Sequence, residues 1–438
     1  MDGPEKCLLR FPHGYQGQRH LDMFTEIHVE SVLSGQVLAQ YARRAWQRLR
    51  YKHPSMAAHS IIDRLEYKKP TQVDLWDWLQ ETFIVLDKPH VSVYEVINAP
   101  HNQRNPTMFF LLQSATFVLY VPHHYNDALG MAIFCNDFLQ EISKDVIEPQ
   151  KNPQFGDEAS NLAPCLEEVE CVEPTPEHRA KVRSALKDFW TTSGSLSPRS
   201  TTHEVFPGKT NWQDLILDDI ETSRLVHSAK ANNITVTHAV HAALVQATAT
   251  QEQKCRKDFL SAIFFNQRSY TGQYPGKICL DFALRIGVWG IKIRPLWFML
   301  TADLLKEKYE SLKNEHYPTS LTWSEFTSHF LSGNSNSIVH IITSPGRLDR
   351  YVSMDYGPIQ VKNIHFILQH QMPGIIAIIQ SFAGRLRLRV EYNESYFRQE
   401  DITGYLALKA FIFNQTRKKV IEFAVIHSDK NDQHRKKL

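Results

Sequence analysis

Residues 148–200 interrupt the chain with a polar, acidic, proline-rich stretch (EPQKNPQFGDEASNLAPCLEEVECVEPTPEH, then TTSGSLSPRS after a short helical segment). Both flanks of this stretch mix helix and strand signals, and that constrains the fold most. A helical bundle and an all-β sandwich are both excluded. The predicted class is α/β (mixed α+β), with two domains, each a mixed sheet with helices. At 438 residues the chain is also too long for one ordinary core. The expected division is 1–175, a crossover linker over 176–200, and 201–438.

In the first flank, residues 30–50 carry Val32, Leu33, Val37, Leu38, Tyr41, Ala45 and Leu49 at spacings of three and four. This predicts an amphipathic helix. His53-Pro54 stops it, because a residue before proline avoids the α region. The run 109–121 is rich in β-branched and aromatic residues and predicts one or two buried strands ending at Pro122. A helix carrying Leu129, Ile133, Phe134, Phe138 and Ile142 on one face follows. In the linker, 176–190 reads as helical. Beyond it come a strand over 202–206, a helix over 220–231 and a helix starting near Thr235 or Thr237. Strands are expected over 261–266, 338–343, 361–368, 374–381 and 386–392.

Lys and Arg number 49 against 47 Asp and Glu, so charge gives no reason to expect a nucleic-acid or membrane-surface partner. The N-terminal residues lack an apolar signal region, and no apolar run is long enough to span a bilayer. The expected location is cytoplasmic. The six cysteines lack C-x-x-C spacing and read as reduced thiols, with Cys165 and Cys171 the one pair near enough in sequence to consider bridging. The terminal Lys436-Lys437-Leu438 looks like a peroxisomal tripeptide without its small first residue. No P-loop, G-x-G-x-x-G, H-E-x-x-H or G-x-S-x-G pattern is present. Arg385, Arg387 and Arg389 alternate along a strand and share a face. They are expected on the solvated face of an edge strand, with phosphate or an acidic carrier protein as the functional alternative.

The most informative segment is Val121-Pro122-His123-His124-Tyr125-Asn126-Asp127-Ala128-Leu129-Gly130, where a strand turns tightly into a helix. Strand ends place reactive side chains outside the packed core. His123 and Asp127 have H-x-x-x-D spacing. A histidine near its ordinary pKa can take a proton from an alcohol or amine. Three readings are open from the residues alone. Asp127 is a good helix N-cap, His123 is a candidate general base, and histidine with aspartate is a metal-ligand set.

His123-His124-x-x-Asp127 resembles the H-x-x-x-D signature of the chloramphenicol acetyltransferase-like superfamily, which includes plant BAHD acyltransferases and condensation domains. Other segments resemble the fungal trichothecene O-acetyltransferase-like branch, in order along residues 30–415. They are 45–50 with His53-Pro54, 234–244, Phe265-Asn266-Gln267-Arg268, Ser344-Pro345-Gly346, and 384–388 with 392–394. The resemblance implies two half-domains with a tunnel between them. It implies His123 as general base, facing the tunnel. Asp127 turns away toward Arg268 and shapes the loop, and Ser344 and Gly346 form a turn near the reacting carbonyl. His124, Tyr125 and Ser381 are further candidates for substrate contact. No metal or bound cofactor is implied. Acyl coenzyme A, most simply acetyl coenzyme A, is the co-substrate, and a carrier protein is a possible donor partner. The acceptor is a small hydroxyl or amine compound, a secondary metabolite, and a monomer is expected.

The chain departs from the family in two ways. Ala128 stands where glycine usually follows the aspartate, and the D-F-G-W-G motif of the plant branch is absent, Asp281-Phe282-Ala283 being only a partial start. A second reading therefore keeps the fold but replaces acyl transfer by cyclisation or rearrangement of a bound intermediate. A non-catalytic binding protein is the third.

Overall fold

A computed structural model describes residues 3–14, 19–61, 64–99, 104–170, 172–192, 194–200, 208–251, 257–270, 282–315, 318–331 and 338–407. The expected strand over 202–206, Cys171, Asp281 and the C-terminal tripeptide lie outside these residues, so the Cys165–Cys171 pair is not described.

Thirteen strands are formed among the described residues: β1 (Met23–Ser31), β2 (His59–Ile61), β3 (Arg64–Glu66), β4 (Phe83–Leu86), β5 (Thr107–Leu111), β6 (Thr116–Val121), β7 (Thr210–Leu217), β8 (Phe259–Asn266), β9 (Ile286–Ile293), β10 (His340–Arg347), β11 (Ile359–Leu368), β12 (Ile376–Phe382) and β13 (Arg385–Asn393). They build a five-stranded sheet ordered β11-β1-β6-β5-β4 and a six-stranded sheet ordered β7-β13-β12-β10-β8-β9, with β2 and β3 as a separate hairpin. Both large sheets are mixed. β4 runs parallel to β5, and β10 runs parallel to both β12 and β8, while the other pairings are antiparallel. The mixed two-sheet architecture anticipated from the flanks of the polar stretch is therefore present.

Strand β11 crosses from the second half of the chain into the first sheet, where it pairs with β1 from Met23↔Leu368 to Ser31↔Ile359. The next strand, β12, returns to the second sheet. This crossing ties the sheets together and brings their strand ends to a common seam. The antiparallel pair β5–β6 accounts for the apolar run at 109–121.

Helices cover the first sheet for a readable reason. In Gly35–Lys52, Leu38, Ala42, Ala45, Trp46 and Leu49 are buried at helical spacing. Trp46 stacks on Trp78 from helix Gln72–Thr82 with centroids 5.9 Å apart, and meets Phe134 and Phe138 edge-on. Those phenylalanines belong to helix Ala128–Ile147. The helix that follows His123 is thus clamped along its length before its N-terminus is considered. His53 caps Gly35–Lys52 as the proline after it requires.

One expectation is corrected. β13 is no edge strand, since it lies between β12 and β7. Arg389 is buried, and its guanidinium donates from Nε and Nη2 to the Asp214 carboxylate, each at 2.9 Å. Arg387 donates from Nη1 to the same carboxylate at 2.5 Å. The alternation was real, but a neighbouring strand supplies the acid. Periodicity within β13 contains no information about β7.

Candidate active site

Strand β6 ends at Val121, and Pro122 cannot continue the ladder. The chain then turns through His123–Asn126 into helix Ala128–Ile147, with Asp127 as N-cap. Asp127 Oδ1 accepts from the backbone N–H groups of Leu129 and Gly130, both at 3.0 Å. Its carboxylate also receives Arg268 Nη1, at 2.9 Å to each oxygen, and the backbone N–H of Arg285 at 2.6 Å. The Arg268 and Asp127 side chains are 5% and 1% exposed. Cap and ion pair are therefore one device, and the carboxylate oxygens are held by donors rather than offered to a metal. Among the described residues, no group of three or more His, Cys, Asp or Glu is placed to hold a metal ion.

Arg268 follows β8, and Arg285 precedes β9. Asp127 thus joins the start of a helix on the first sheet to both ends of a connection in the second. Arg268 Nη2 also donates to the Ala283 carbonyl at 3.0 Å. Arg285 donates through Nη2 to the Pro164 carbonyl at 2.6 Å, which ties the polar stretch to the same junction.

His123 Nδ1 lies 2.9 Å from the Asn126 carbonyl. A carbonyl can only accept, so Nδ1 carries the proton and the neutral ring keeps its lone pair on Nε2. Burial lowers the pKa below 6.5, outweighing hydrogen bonds and the Asp127 charge that act the other way. The ring is therefore a neutral proton acceptor at neutral pH.

His123 forms part of a cleft of about 580 Å³, counting its part open to solvent. The first sheet and its turn contribute Met23, His123, Leu129, Phe366 and Leu368, and the second sheet contributes Phe264, Phe265, Asn266, Ile286, Ser344 and Ile378. Most of this surface is apolar. Among the described residues, the one carboxyl side chain at its wall is that of Asp127, already paired with Arg268.

The other expected residues divide. Ser344 lines the cleft and shares a hydrogen bond with Thr237 at 2.9 Å. Gly346 pairs with Gln380, and Ser381 pairs with Arg347, along β10 and β12, and neither Gly346 nor Ser381 lines the cleft; Gly346 has φ +78°, the conformation that a bulge after Ser344-Pro345 demands. His124 and Tyr125 do not line it either. Tyr125 donates its hydroxyl to the Ala58 carbonyl at 2.6 Å, and its ring lies 4.4 Å from that of His124. Burial and the neighbouring His123 push His124 down to about 3. Both side chains support the turn from within.

The Ala128 departure resolves at a different position. Ala128 begins the helix and does not have positive φ. The tight site is Gly130, where an added Cβ would fall 1.9 Å from Asn126 Oδ1 and 2.8 Å from Arg268 Nη2. Asn266 was the residue missed within the site. The Asn-x-Arg spacing was noticed, but only the arginine was given a role.

Comparison with known proteins gives consistent results. The chain is 27% identical over 273 residues to Acetyltransferase pigO of Monascus ruber, covering 60% of this chain and 58% of that protein. It is 23% identical over 375 residues to O-acetyltransferase pigM of the same organism, covering 81% and 72%. The chain thus spans little more than half the length of pigO. No protein-family model matches. TRI3 trichothecene 15-O-acetyltransferase from Fusarium sporotrichioides superposes with TM-score 0.80 at 16% identity, over 94% of each chain. The first condensation domain of the calcium-dependent antibiotic synthetase gives 0.67 at 14% identity, covering 94% of this chain and 95% of that one. The chain therefore shares the fold of TRI3 and of that condensation domain, and its resemblance to fungal acetyltransferases is borne out.

Proposed function

We propose that the protein is an acyltransferase that moves an acetyl group from acetyl coenzyme A to the hydroxyl of a small, apolar, neutral secondary metabolite. The observation that carries this reading is the His123 tautomer: Nδ1–H is spent on the Asn126 carbonyl, so Nε2 is left as a base at the wall of the cleft. The names of pigO and pigM and the fold shared with TRI3 support acetyl transfer. The apolar lining supports an apolar acceptor. A hydroxyl acceptor fits better than an amine, because among the described residues the one carboxyl side chain lining the cleft, Asp127, is already paired with Arg268.

In this reaction His123 Nε2 takes the hydroxyl proton as the oxygen attacks the thioester carbonyl. The carbonyl electron pair moves to oxygen, giving a tetrahedral oxyanion. Collapse expels the thiolate, and the proton on His123 passes to sulfur. No covalent enzyme intermediate is needed. Asp127 and Arg268 hold the turn and do not meet the reacting atoms. The half-domains 1–175 and 201–438, with the crossover at 176–200, frame the cleft in this reading, and the protein works as a cytoplasmic monomer. Among the described residues no helix is long and apolar enough to cross a membrane.

The test is His123→Ala assayed for coenzyme A release with acetyl coenzyme A and a panel of apolar alcohols. A fall of about two to four powers of ten, with the fold retained by circular dichroism, is expected. Near-full turnover would reject the mechanism. A carrier-bound acetyl thioester is the second donor to assay, because condensation domains share the fold. Product formed equally without any thioester would instead support rearrangement of a bound intermediate.

A further inference from the structure

Acyl transfer through His123 needs a hydrogen-bond donor for the oxyanion as well as a base for the proton. Besides His123, the polar side chains of the cleft are Asp127, Asn266, Thr343 and Ser344. The Thr343 hydroxyl has no hydrogen-bond partner among the described residues to aim it, so it rotates freely. Asp127 is an acceptor already saturated by Arg268 and by backbone donors. Ser344 has one hydroxyl proton, and its oxygen is committed to Thr237 Oγ1 at 2.9 Å and the Ile379 carbonyl at 3.4 Å. Asn266 is different. It ends β8, and its Oδ1 accepts from the backbone N–H of Arg268 at 3.1 Å, an Asx-type turn. Arg268 Nη1 approaches the same oxygen at 3.4 Å. Both neighbours are donors, so they fix which end of the amide is oxygen. The Nδ2H₂ group is then the end left for the cleft that Asn266 lines.

We propose that Asn266 is a catalytic residue whose side-chain amide donates to the oxyanion formed opposite His123. The inference rests on the acyl-transfer reading above. It also gives Arg268 a second duty. One guanidinium holds Asp127, and with it the turn that carries the base, and also orients the amide that meets the developing charge. Base and donor come from different sheets, and Arg268 is the shared reference for both. The donor acts only once the carbonyl electron pair has moved to oxygen, so its loss appears in the rate rather than in acceptor binding.

The experiment compares Asn266→Asp, Asn266→Ala, Ser344→Ala and His123→Ala, using acetyl coenzyme A with 1-octanol and 2-naphthalene-ethanol as acceptors and thiol release as the readout. Asn266→Asp retains the acceptor that Arg268 holds, removes the donor and adds a negative charge, whereas Asn266→Ala removes donor and acceptor without adding charge. We expect kcat to fall about 100- to 1000-fold in both Asn266 variants, with acceptor KM within about threefold and the melting temperature of Asn266→Asp close to that of the parent. Ser344→Ala falls less. The aspartate also raises the pKa of His123, so the acid limb of its residual activity moves to higher pH, while that of Asn266→Ala does not. If Asn266→Asp keeps kcat within about threefold, or Ser344→Ala loses more, the assignment is overturned while His123→Ala still reports on the base. If the parent protein shows no thioester-dependent turnover beyond that of His123→Ala, acyl transfer itself fails and the assignment falls with it.

Discussion

Asp127 shows how one side chain carries two structural duties beside a reacting group. Its carboxylate satisfies the first N–H groups of a helix and neutralises Arg268 in a site with little water. Removing one partner from a buried ion pair leaves the other charge uncompensated, which costs about 3–5 kcal/mol. Arg268→Ala should therefore lower the denaturation midpoint strongly, and Asp127→Asn, which keeps an acceptor for the cap, should lower it less. Chemical denaturation measures both, and unchanged midpoints would show that the pair contributes nothing. Gly130 is the second sensitive position. A methyl group there collides with Asn126 Oδ1, and Asn126 supplies the carbonyl that sets the His123 tautomer. Gly130→Ala should reduce turnover by at least about tenfold, through displacement of the turn; turnover equal to the parent would show that the turn can give way freely. The spacing of His123 and Asp127 was legible in the sequence, as was Arg268. The place where glycine is needed was not, because the clash depends on how the turn folds Asn126 Oδ1, and with it Arg268, onto the first turn of the helix. Asn266 escaped notice for a related reason: its value lies in which end of its amide faces the cleft, and only the hydrogen bonds of Arg268 determine that.

At the scale of elements, the strands that carry frequent aliphatic and aromatic residues were readable. β5, β6, β8, β10, β11, β12 and β13 all fall on stretches rich in aliphatic and aromatic residues. β1 was not read, although Met23, Ile27 and Val29 alternate to one core and Phe24 packs into another. It is buried on both faces, and its polar residues, Thr25, Glu26 and His28, break the apolar pattern. Glu26 is tolerated because burial raises its pKa, with Arg389 and Arg387 nearby opposing that shift. The partner strand of β13 could not be read either, so the arginines looked solvated. Their pairing makes a prediction about β7. Asp214→Ala leaves Arg389, 3% exposed, with no carboxylate from β7, and should destabilise the fold by about 3 kcal/mol. Asp214→Asn should cost less, since an acceptor is kept. A urea titration distinguishes the two, and equal midpoints for parent and Asp214→Ala would mean that the buried guanidiniums find other partners.

Across the whole molecule, neutral buried histidines set the acid limit of the fold. His20, His124, His241, His365 and His370 have pKa values lowered chiefly by burial, to about 3 for His124 and His241 and about 4 for His370. In the unfolded chain each returns to about 6.5. Between those values the unfolded state binds more protons than the folded one, so stability rises with pH there and is lost as pH falls below about 6.5. At pH 5 each of His124, His241 and His370 favours unfolding by about 2 kcal/mol, from about 1.5 units at about 1.36 kcal/mol per unit. Several together exceed the contribution of most single contacts, so the melting temperature should drop steeply between pH 7 and pH 5. His123 adds a link to chemistry. Its folded pKa is also lowered, so protonation removes the base only below the ordinary histidine range. In brief assays the acid loss of activity should therefore begin below pH 6.5, and longer incubations should lose activity with the fold. Initial rates and thermal melts across pH 5 to 8 separate the two effects. His241→Asn is the informative variant. It removes a group that charges on unfolding while keeping a hydrogen-bonding side chain near Ser261, which contacts His241 Nε2 at 3.1 Å. Its deficit relative to the parent should shrink as pH falls from 7 to 5, and a deficit constant with pH would show that His241 does not titrate on unfolding.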